Sequence, residues 1–269
     1  MSKGTILLIG SNASRIEVMG GKSCPTGYYI NELAVPTMKA IEAGHDVVLA
    51  TPSGGKPVPD EVSRQASHFG NSEQRLRAAV EFIEKHPVMQ NPRSFRAILD
   101  GGLDKYVGLF VPGGQAPVED LMQDAELGEM LRHFHERNKT TAFLCHGPIA
   151  AVAAMPRAKE FRAALVKGDV AKAGELARGW QYAGYRMTIF SNDEEKVIED
   201  NTLHAKMYFH VVDALQIAGG KVATAAKLWE PHVVIDRELI TGQNPGSDKA
   251  LATALVEALD RQCAGANAA

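Results

Sequence analysis

The amino-acid sequence predicts an α/β protein in which a doubly wound parallel β-sheet lies between layers of helices. Short runs of apolar and β-branched residues are bounded by turn residues, and segments with helical periodicity separate them. Nearly continuous apolarity within a run is typical of strands that are covered on both faces, as in a parallel sheet. The chain has 269 residues, 45% of them hydrophobic, which is enough for one large core. We therefore predict a single α/β domain over residues 1–269.

Five apolar runs are the predicted strands of this sheet. In chain order they occupy residues 5–10, 46–50, 106–111, 141–145 and 187–191. Two shorter strands around a polar turn are predicted within residues 233–241.

The predicted helices carry apolar residues on one face at helical spacing. Residues 31–43 are predicted to form a helix that ends at Gly44, and residues 73–85 one with Pro87 beyond its end. The last helix is predicted at residues 247–259.

Two segments depart from the alternation of strands and helices. Residues 155–180 have the spacing of a helical pair that is interrupted at Gly168 and Asp169, and we expect a small helical insertion or cap over one end of the sheet. Residues 263–269 contain Ala, Gly and Asn, and we expect them to form a mobile tail.

The charge balance limits the kinds of partner. With 29 basic and 32 acidic residues the formal net charge is -3, and no block of Lys or Arg resembles a nucleic-acid or membrane-surface patch. We therefore expect no nucleic-acid or membrane partner. The first residues lack the features of a secretory signal, and no stretch approaches the ~20 apolar residues of a membrane span. The sequence thus predicts a soluble, cytoplasmic protein.

Cysteine usage indicates a free thiol. The three cysteines, Cys24, Cys145 and Cys263, form no CxxC pair, and an odd number cannot all be paired. In a reducing compartment disulfide pairing does not account for these cysteines, so at least one of them is a free thiol with another role. The contexts of Cys24 and Cys263 give no sign of reactivity, although Cys24 can still lie near the site.

Cys145 stands where a strand, a sharp turn and a helix are predicted to meet. The apolar run 141–145 ends at this residue, HGP follows at 146–148, and an Ala-rich helix is predicted at 149–154. Such an elbow holds a side chain at the carboxyl edge of the sheet, where open α/β proteins place their sites. A helix amino terminus favours an anion, which predicts a lowered pKa for the thiol, and His146 can supply a base. We therefore predict a nucleophile rather than an inert buried thiol.

Short motifs give the sequence a resemblance to a known family. They are VPGG at residues 111–114, EDL at 119–121, CHGP at 145–148, TGYYINEL at 26–33 and ITGQNPGS at 240–247. The first three resemble the PfpI-like branch of the class I glutamine amidotransferase superfamily. The last two are similar to its heat-shock chaperone and glyoxalase III branch. The similarity spans about residues 5–260 and is interrupted by the helical insertion.

The resemblance implies a flavodoxin-like sandwich with a small cap and a catalytic site around the elbow cysteine. In that branch the cysteine works with the next histidine, here Cys145 and His146, and with a glutamate of the first helix that matches Glu32. Burial beside the thiol would raise the pKa of this glutamate and let it donate a hydrogen bond. The oxyanion hole comes from backbone N–H groups that match Gly114 and His146, and Gly113 suits close approach by the substrate because it lacks a Cβ.

The third catalytic residue of the branch is an acid after the fifth strand, where this chain has three carboxylates. They are Asp193, Glu194 and Glu195. The family spacing from Phe190 favours Glu195, while Asp193 and Glu194 remain alternatives. A run of acids is also typical of a solvated helix start.

One position departs from the family pattern. Gln115 and Ala116 stand where many relatives have His-Gly, which argues against any proton transfer or metal binding by that histidine and leaves the cysteine chemistry intact. We expect no cofactor and no metal. His133 and His135 are two residues apart on a predicted helix and point to different sides, and no HExxH motif is present.

The resemblance implies a glutathione-independent glyoxalase of the D-lactate dehydratase type, a lyase that converts methylglyoxal to lactate. Its substrate would be a small 2-oxoaldehyde, held in an apolar pocket for which Tyr28, Tyr29 and Trp229 are candidate walls. Three alternatives remain: a stress-response holdase for misfolded proteins, a deglycase for glycated proteins, and a cysteine hydrolase of the same superfamily. Glutaminase activity is disfavoured because no His-x-Glu follows Cys145. Relatives commonly dimerise, so a homodimer is expected.

Overall fold

The computed structural model describes residues 2–268 and has a seven-stranded β-sheet at its centre. In chain order the strands are β1 (Thr5–Ile9), β2 (Arg15–Val18), β3 (Lys22–Pro25), β4 (Asp46–Thr51), β5 (Arg93–Ser94), β6 (Tyr106–Val111), β7 (Thr140–Leu144), β8 (Arg186–Met187), β9 (Lys221–Val222), β10 (Val233–Asp236) and β11 (Leu239–Gly242). The α-helices are α1 (Ile30–Glu42), α2 (Glu73–Lys85), α3 (Pro87–Gln90), α4 (Phe95–Asp100), α5 (Ala125–Glu136), α6 (Ala158–Val166), α7 (Val170–Leu176), α8 (Asn192–Ile198), α9 (Val211–Ile217) and α10 (Asp248–Ala268).

The sheet order is β10–β11–β7–β6–β1–β4–β5, and each neighbouring pair is parallel except β10 with β11. Strand β7 is buried along its whole length, as is expected for a strand with helices on both sides. Helix α1 packs against α10, and α5 packs against a buried 3₁₀ helix at Gly147–Ala154. The predicted doubly wound, flavodoxin-like class is confirmed. The parallel arrangement brings the carboxyl ends of β6, β7 and β11 to one edge.

The predicted strand at residues 187–191 is wrong over most of its length. Only its first residue belongs to a strand, β8, which pairs with β9 in a separate sheet, and β11 takes the place beside β7. The Thr188 N–H donates to the side-chain oxygen of Thr241 at 2.9 Å. The Phe190 N–H donates to the Cys145 carbonyl at 3.1 Å. The segment is therefore held by single hydrogen bonds and not by a strand ladder.

Most predicted helices are present with small shifts in their ends. The segments 31–43 and 73–85 correspond to α1 and α2, and the insertion at 155–180 contains α6 and α7. Asp169 caps α7 by accepting from the Lys172 N–H at 3.0 Å, so the predicted interruption is a helix start. The helix predicted at 149–154 is instead the 3₁₀ helix, a tighter coil that lies directly on the backbone of α5.

Helix α10 continues beyond the predicted end at residue 259, and polar contacts of Gln262 dock this part of it on the sheet. Gln262 accepts from the Thr140 N–H at 3.1 Å and donates to the Val107 carbonyl at 2.8 Å. The tail that we expected to be mobile continues this helix as far as Ala268, and Ala269 lies outside the described residues. Among the helices of residues 2–268, none combines the length and apolarity needed to cross a bilayer.

Candidate active site

Cys145 occupies a strained turn directly after β7. Its φ angle is 58°, in the left-handed region that non-glycine residues rarely adopt. Two backbone hydrogen bonds hold it there: the Cys145 N–H donates to the Gly242 carbonyl at 2.8 Å, and the Cys145 carbonyl accepts from the Phe190 N–H at 3.1 Å. The strand, strained turn and short helix together form the elbow geometry that places a nucleophile at a sheet edge.

A continuous relay of side chains runs from the thiol. Cys145 Sγ lies 3.4 Å from His146 Nδ1, and His146 Nε2 lies 2.7 Å from Glu195 Oε2. The histidine and the glutamate are buried, with 3% and 1% of their surfaces exposed. In such a relay the imidazole can exchange a proton with the sulfur while the carboxylate fixes the ring orientation. The structure thus brings together three of the residues named from sequence.

The other two acids of the run have different surroundings. Asp193 is exposed and pairs with Lys196 at 2.9 Å. Glu194 is buried and caps α8 by accepting from the Ser191 N–H and hydroxyl at 3.0 and 2.9 Å. It also accepts from the side chains of Gln243 at 3.0 Å and Asn244 at 2.8 Å, so this acid fixes the start of α8 and does not face the histidine. The ITGQNPGS motif therefore has a structural role: through Gln243 and Asn244 it anchors α8, the helix that carries Glu195.

Gln115 is a site residue that sequence reasoning treated only as a departure from the family. Its Nε2 donates to Glu195 Oε1 at 2.7 Å, which leaves the other oxygen of that carboxylate for His146. An amide donor at this position can hold the carboxylate but cannot transfer a proton. The only indication in the sequence that Gln115 belongs to the site was its position directly after the Gly113-Gly114 turn.

Glu32 also lies close to the thiol and is fully buried in the first turn of α1. Neither of its carboxylate oxygens has a hydrogen-bond partner in normal geometry within residues 2–268. Burial raises the pKa of Glu32 to about 8, and its proximity to the Cys145 thiol and to the Gly113 N–H opposes that rise. Near neutral pH the side chain is therefore a proton donor, in the direction expected from sequence.

The pKa of the Cys145 thiol is raised and not lowered, which corrects the sequence expectation. Burial is the largest cause, and the nearby Glu32 carboxyl adds to it, while the Gly114 N–H opposes both. The helix amino terminus is outweighed because the thiol is only 2% exposed. Nucleophilic attack at this site therefore requires a neighbouring group to accept the thiol proton.

At Gly113 and Gly114 the surrounding atoms leave no room for a side chain. A Cβ on Gly113 would overlap the Glu32 carboxylate and the Cys145 side chain, and a Cβ on Gly114 would overlap the Gly27 carbonyl. Gly114 also has a φ of 81°, which favours glycine. Its N–H faces the sulfur and lowers the pKa of the thiol, against the effect of burial.

A cavity of about 610 Å³ reaches the thiol and opens to solvent. Its wall includes Gly114, Gln115, Cys145, His146, Phe190, Trp229, Tyr29, His68, Thr26, Asp60, Cys24, Ile198 and Leu203. Tyr29 and Trp229 line it as expected, whereas Tyr28 is buried in the core and does not. No group of three or more His, Cys, Asp or Glu side chains within residues 2–268 is arranged to hold a metal ion.

The chain is similar to proteins of one family. A family model described as the DJ-1/PfpI family matches residues 26–258. The protein/nucleic acid deglycase HchA of Staphylococcus aureus strain JH9 is 26% identical over 253 residues, which cover 90% of this chain and 75% of that protein. That relative's name includes nucleic acid, so the exclusion of a nucleic-acid partner from charge alone is not supported.

Solved structures with low sequence identity share the fold. The Rapid Encystment Protein 24 kDa of Francisella tularensis has a TM-score of 0.71 at 23% identity and covers 95% of this chain and 99% of its own. Glyoxalase III of Candida albicans has a TM-score of 0.65 at 17% identity, with 95% and 97% covered. At these identities the likeness concerns the fold alone.

Proposed function

Because the chain belongs to the DJ-1/PfpI family, we propose that it is a glutathione-independent glyoxalase that converts methylglyoxal to lactate. The observation that supports this best is the presence of two proton-transfer groups beside one thiol. The His146–Glu195 relay contacts Cys145, and the unpartnered carboxyl of Glu32 also lies close to it. Groups that accept and return protons are what an isomerisation between adjacent carbons requires.

The first step forms a bond between sulfur and the aldehyde carbon. The thiol proton passes to His146, and Cys145 Sγ attacks the aldehyde to give a hemithioacetal. The oxygen that becomes negative in this step is stabilised by the backbone N–H groups of Gly114 and His146 and takes up a proton from the protonated imidazole.

The second step is an internal redox change within the bound substrate. A base removes the proton from the former aldehyde carbon to give an enediolate, and a proton is returned to the neighbouring carbon, which leaves a thioester of lactate. Glu32, with a pKa of about 8, suits this exchange because both of its protonation states are accessible near neutral pH. Water then cleaves the thioester, which releases lactate and restores the Cys145 thiol.

The test is lactate formation by purified protein supplied with methylglyoxal and no glutathione. We expect turnover by the wild type, loss of it in Cys145→Ala, and a fall of at least a hundredfold in Glu32→Gln and Glu195→Gln. General acid–base groups typically contribute roughly 10²–10⁴-fold, and loss of the carboxylate that orients a catalytic histidine has effects of up to about 10⁴-fold. Asp193→Asn is the matched control because that acid is exposed and paired with Lys196. A wild type that forms no lactate would refute the proposal.

A second candidate is removal of glycation adducts, because the relative HchA at 26% identity is named a deglycase. The same thiol would attack the adduct carbon, and the cavity of about 610 Å³, which opens to solvent, would admit a side chain from another molecule. To separate the two, a peptide whose arginine has been glycated beforehand is freed of methylglyoxal and incubated with the protein in the presence of a scavenger that traps released methylglyoxal. Loss of the adduct in the wild type but not in Cys145→Ala would favour deglycase activity. An unchanged adduct beside rapid turnover of free methylglyoxal would favour the glyoxalase.

A further inference from the structure

Thr26 lines the active-site cavity and carries a buried, unpartnered polar group. Its side chain is only 4% exposed, and the hydroxyl oxygen has no hydrogen-bond partner within residues 2–268. The residue nevertheless lines the same cavity as Cys145. A buried hydroxyl without a partner is unfavourable, so such a group is retained where a ligand or water can satisfy it.

The backbone around Thr26 is fixed next to the catalytic turn. The Thr26 N–H donates to the Ser14 carbonyl at 3.0 Å. Gly27 is wedged so tightly that a Cβ there would overlap the backbone of residues 58–60. On its other side the Gly27 carbonyl touches Gly114, whose N–H acts on the thiol. The hydroxyl is therefore held on a rigid segment one residue away from the contact with the oxyanion-hole turn.

We infer that the Thr26 hydroxyl hydrogen-bonds the second carbonyl oxygen of a 2-oxoaldehyde while the first carbonyl is attacked by Cys145. This inference rests on the proposed glyoxalase function and makes Thr26 a substrate-positioning residue. The hydroxyl rotates freely, so it donates to a ketone oxygen in the ground state and to the developing enediolate afterwards. A monoaldehyde has no such oxygen, so the hydroxyl distinguishes oxoaldehydes from simple aldehydes.

The contrast between two variants tests this. Thr26→Val keeps the shape and removes the hydroxyl, and Thr26→Ser keeps the hydroxyl. We expect KM for methylglyoxal to rise about tenfold in Thr26→Val, equivalent to ~1.4 kcal/mol, and Thr26→Ser to remain close to wild type. Because the hydroxyl lacks a partner, Thr26→Val should melt no lower than wild type, which separates positioning from a structural role.

A binding readout that needs no turnover accompanies the kinetics. Methylglyoxal and propanal are each used to protect Cys145 from alkylation by iodoacetamide, followed by mass spectrometry. In Thr26→Val we expect about tenfold more methylglyoxal for half protection, as for KM, and no change for propanal. Equal protection by methylglyoxal in wild type and Thr26→Val, or equal weakening for both aldehydes, would overturn the inference.

The two proposals fail in different ways. Lactate formation by the wild type with unchanged kinetics in Thr26→Val would refute the positioning role alone. Absence of lactate together with a selective loss of methylglyoxal protection would refute the glyoxalase turnover and leave the recognition by Thr26 supported. A wild type that shows neither lactate nor protection would refute both.

Discussion

The Gln115 side chain donates a hydrogen bond of 2.7 Å to Glu195, and the free oxygen of that carboxylate lies 2.7 Å from the ring of His146. The glutamine thus orients the residue that orients the catalytic imidazole. All three side chains are buried, so no bulk water competes for these contacts. Gln115 stands where the family pattern has a histidine in many relatives, and its side-chain amide donates a hydrogen bond at every pH.

We predict that Gln115→Leu lowers kcat for methylglyoxal by roughly tenfold to a hundredfold, because small displacements of catalytic groups have effects of that size. KM should change little, since the amide donates to Glu195 and not to the reacting atoms. Gln181→Leu is the control: the side chain of that glutamine also donates a hydrogen bond, to the Leu131 carbonyl at 3.2 Å, but outside the site. Wild-type kcat in Gln115→Leu would contradict this role.

Amide variants of Asp193, Glu194 and Glu195 should differ in whether they lower activity, stability or neither. Glu195→Gln should abolish most activity with little loss of stability. Glu194→Gln should lower the free energy of unfolding by about 2–3 kcal/mol, because one of its two carboxylate oxygens becomes an NH2 group that faces other donors. At Oε1 these donors are the Trp229 N–H and the Asn244 side chain. Asp193→Asn should change neither. Urea unfolding curves and lactate assays on the same preparations measure both quantities.

A Glu194→Gln variant that is as stable as wild type would contradict the anchoring role of that residue. An active Glu195→Gln variant would remove it from the relay.

Glu32 should make the protein less stable as pH rises. Its pKa is about 8 in the folded chain and 4.5 in an ordinary environment, so between these values the folded state holds a proton that the unfolded state has released. The free energy of unfolding therefore falls across this window. Glu32→Gln removes the effect and should be more stable than wild type by about 2 kcal/mol or more above pH 8, since one pKa unit corresponds to ~1.4 kcal/mol.

Denaturant unfolding at several pH values measures this slope. Asp60→Asn serves as the comparison because Asp60 is an acid that is only partly buried and whose pKa is also raised. If wild type and Glu32→Gln have parallel stability profiles between pH 5 and 9, then the buried carboxyl does not carry the shift.

The same glutamate should control the reactivity of the thiol. Once Glu32 ionises, above its pKa of about 8, its charge opposes formation of the Cys145 thiolate. The pH at which iodoacetamide alkylation of Cys145 reaches half its maximum rate should therefore be lower in Glu32→Gln than in wild type. Cys24 lines the same cavity and is an internal control for access. A midpoint that stays in place, or moves up, would contradict this coupling.

The sequence predicted the elbow because its signals are local: an apolar run, a reactive residue, then Gly-Pro. His146 was predicted from its place next to Cys145, whereas Glu32 and Glu195 came from resemblance, since no periodicity reveals that α1 places Glu32 beside a turn more than a hundred residues later. The pKa of Cys145 was predicted in the wrong direction because a helix start can be read from sequence but the degree of burial cannot. Segment 187–191 was misassigned because its apolar residues pack on His146 and the core without joining a ladder, and β propensity does not separate these cases.

The rim of the cavity should discriminate between substrates through Trp229. Its ring lies 5.7 Å from that of Phe190, which in turn packs 4.5 Å from His146, so an aromatic wall extends from the relay to the mouth. A methyl group is too short to use the outer part of this wall, whereas a phenyl group can. A cavity of about 610 Å³ lies within the range of roughly 300–1,000 Å³ that is typical of sites for much larger ligands than methylglyoxal.

We therefore predict that Trp229→Ala lowers kcat/KM about tenfold for phenylglyoxal and much less for methylglyoxal, because an apolar contact in a pocket is worth roughly 10–200-fold in specificity. The backbone N–H of Trp229 donates to Glu194 at 2.8 Å, and the variant keeps this bond, so the site itself should stay intact. Leu228→Ala is the matched control because Leu228 is a similarly exposed neighbour that does not line the cavity. Equal losses for the two substrates would indicate a general disturbance of the site and would remove Trp229 as a specificity residue.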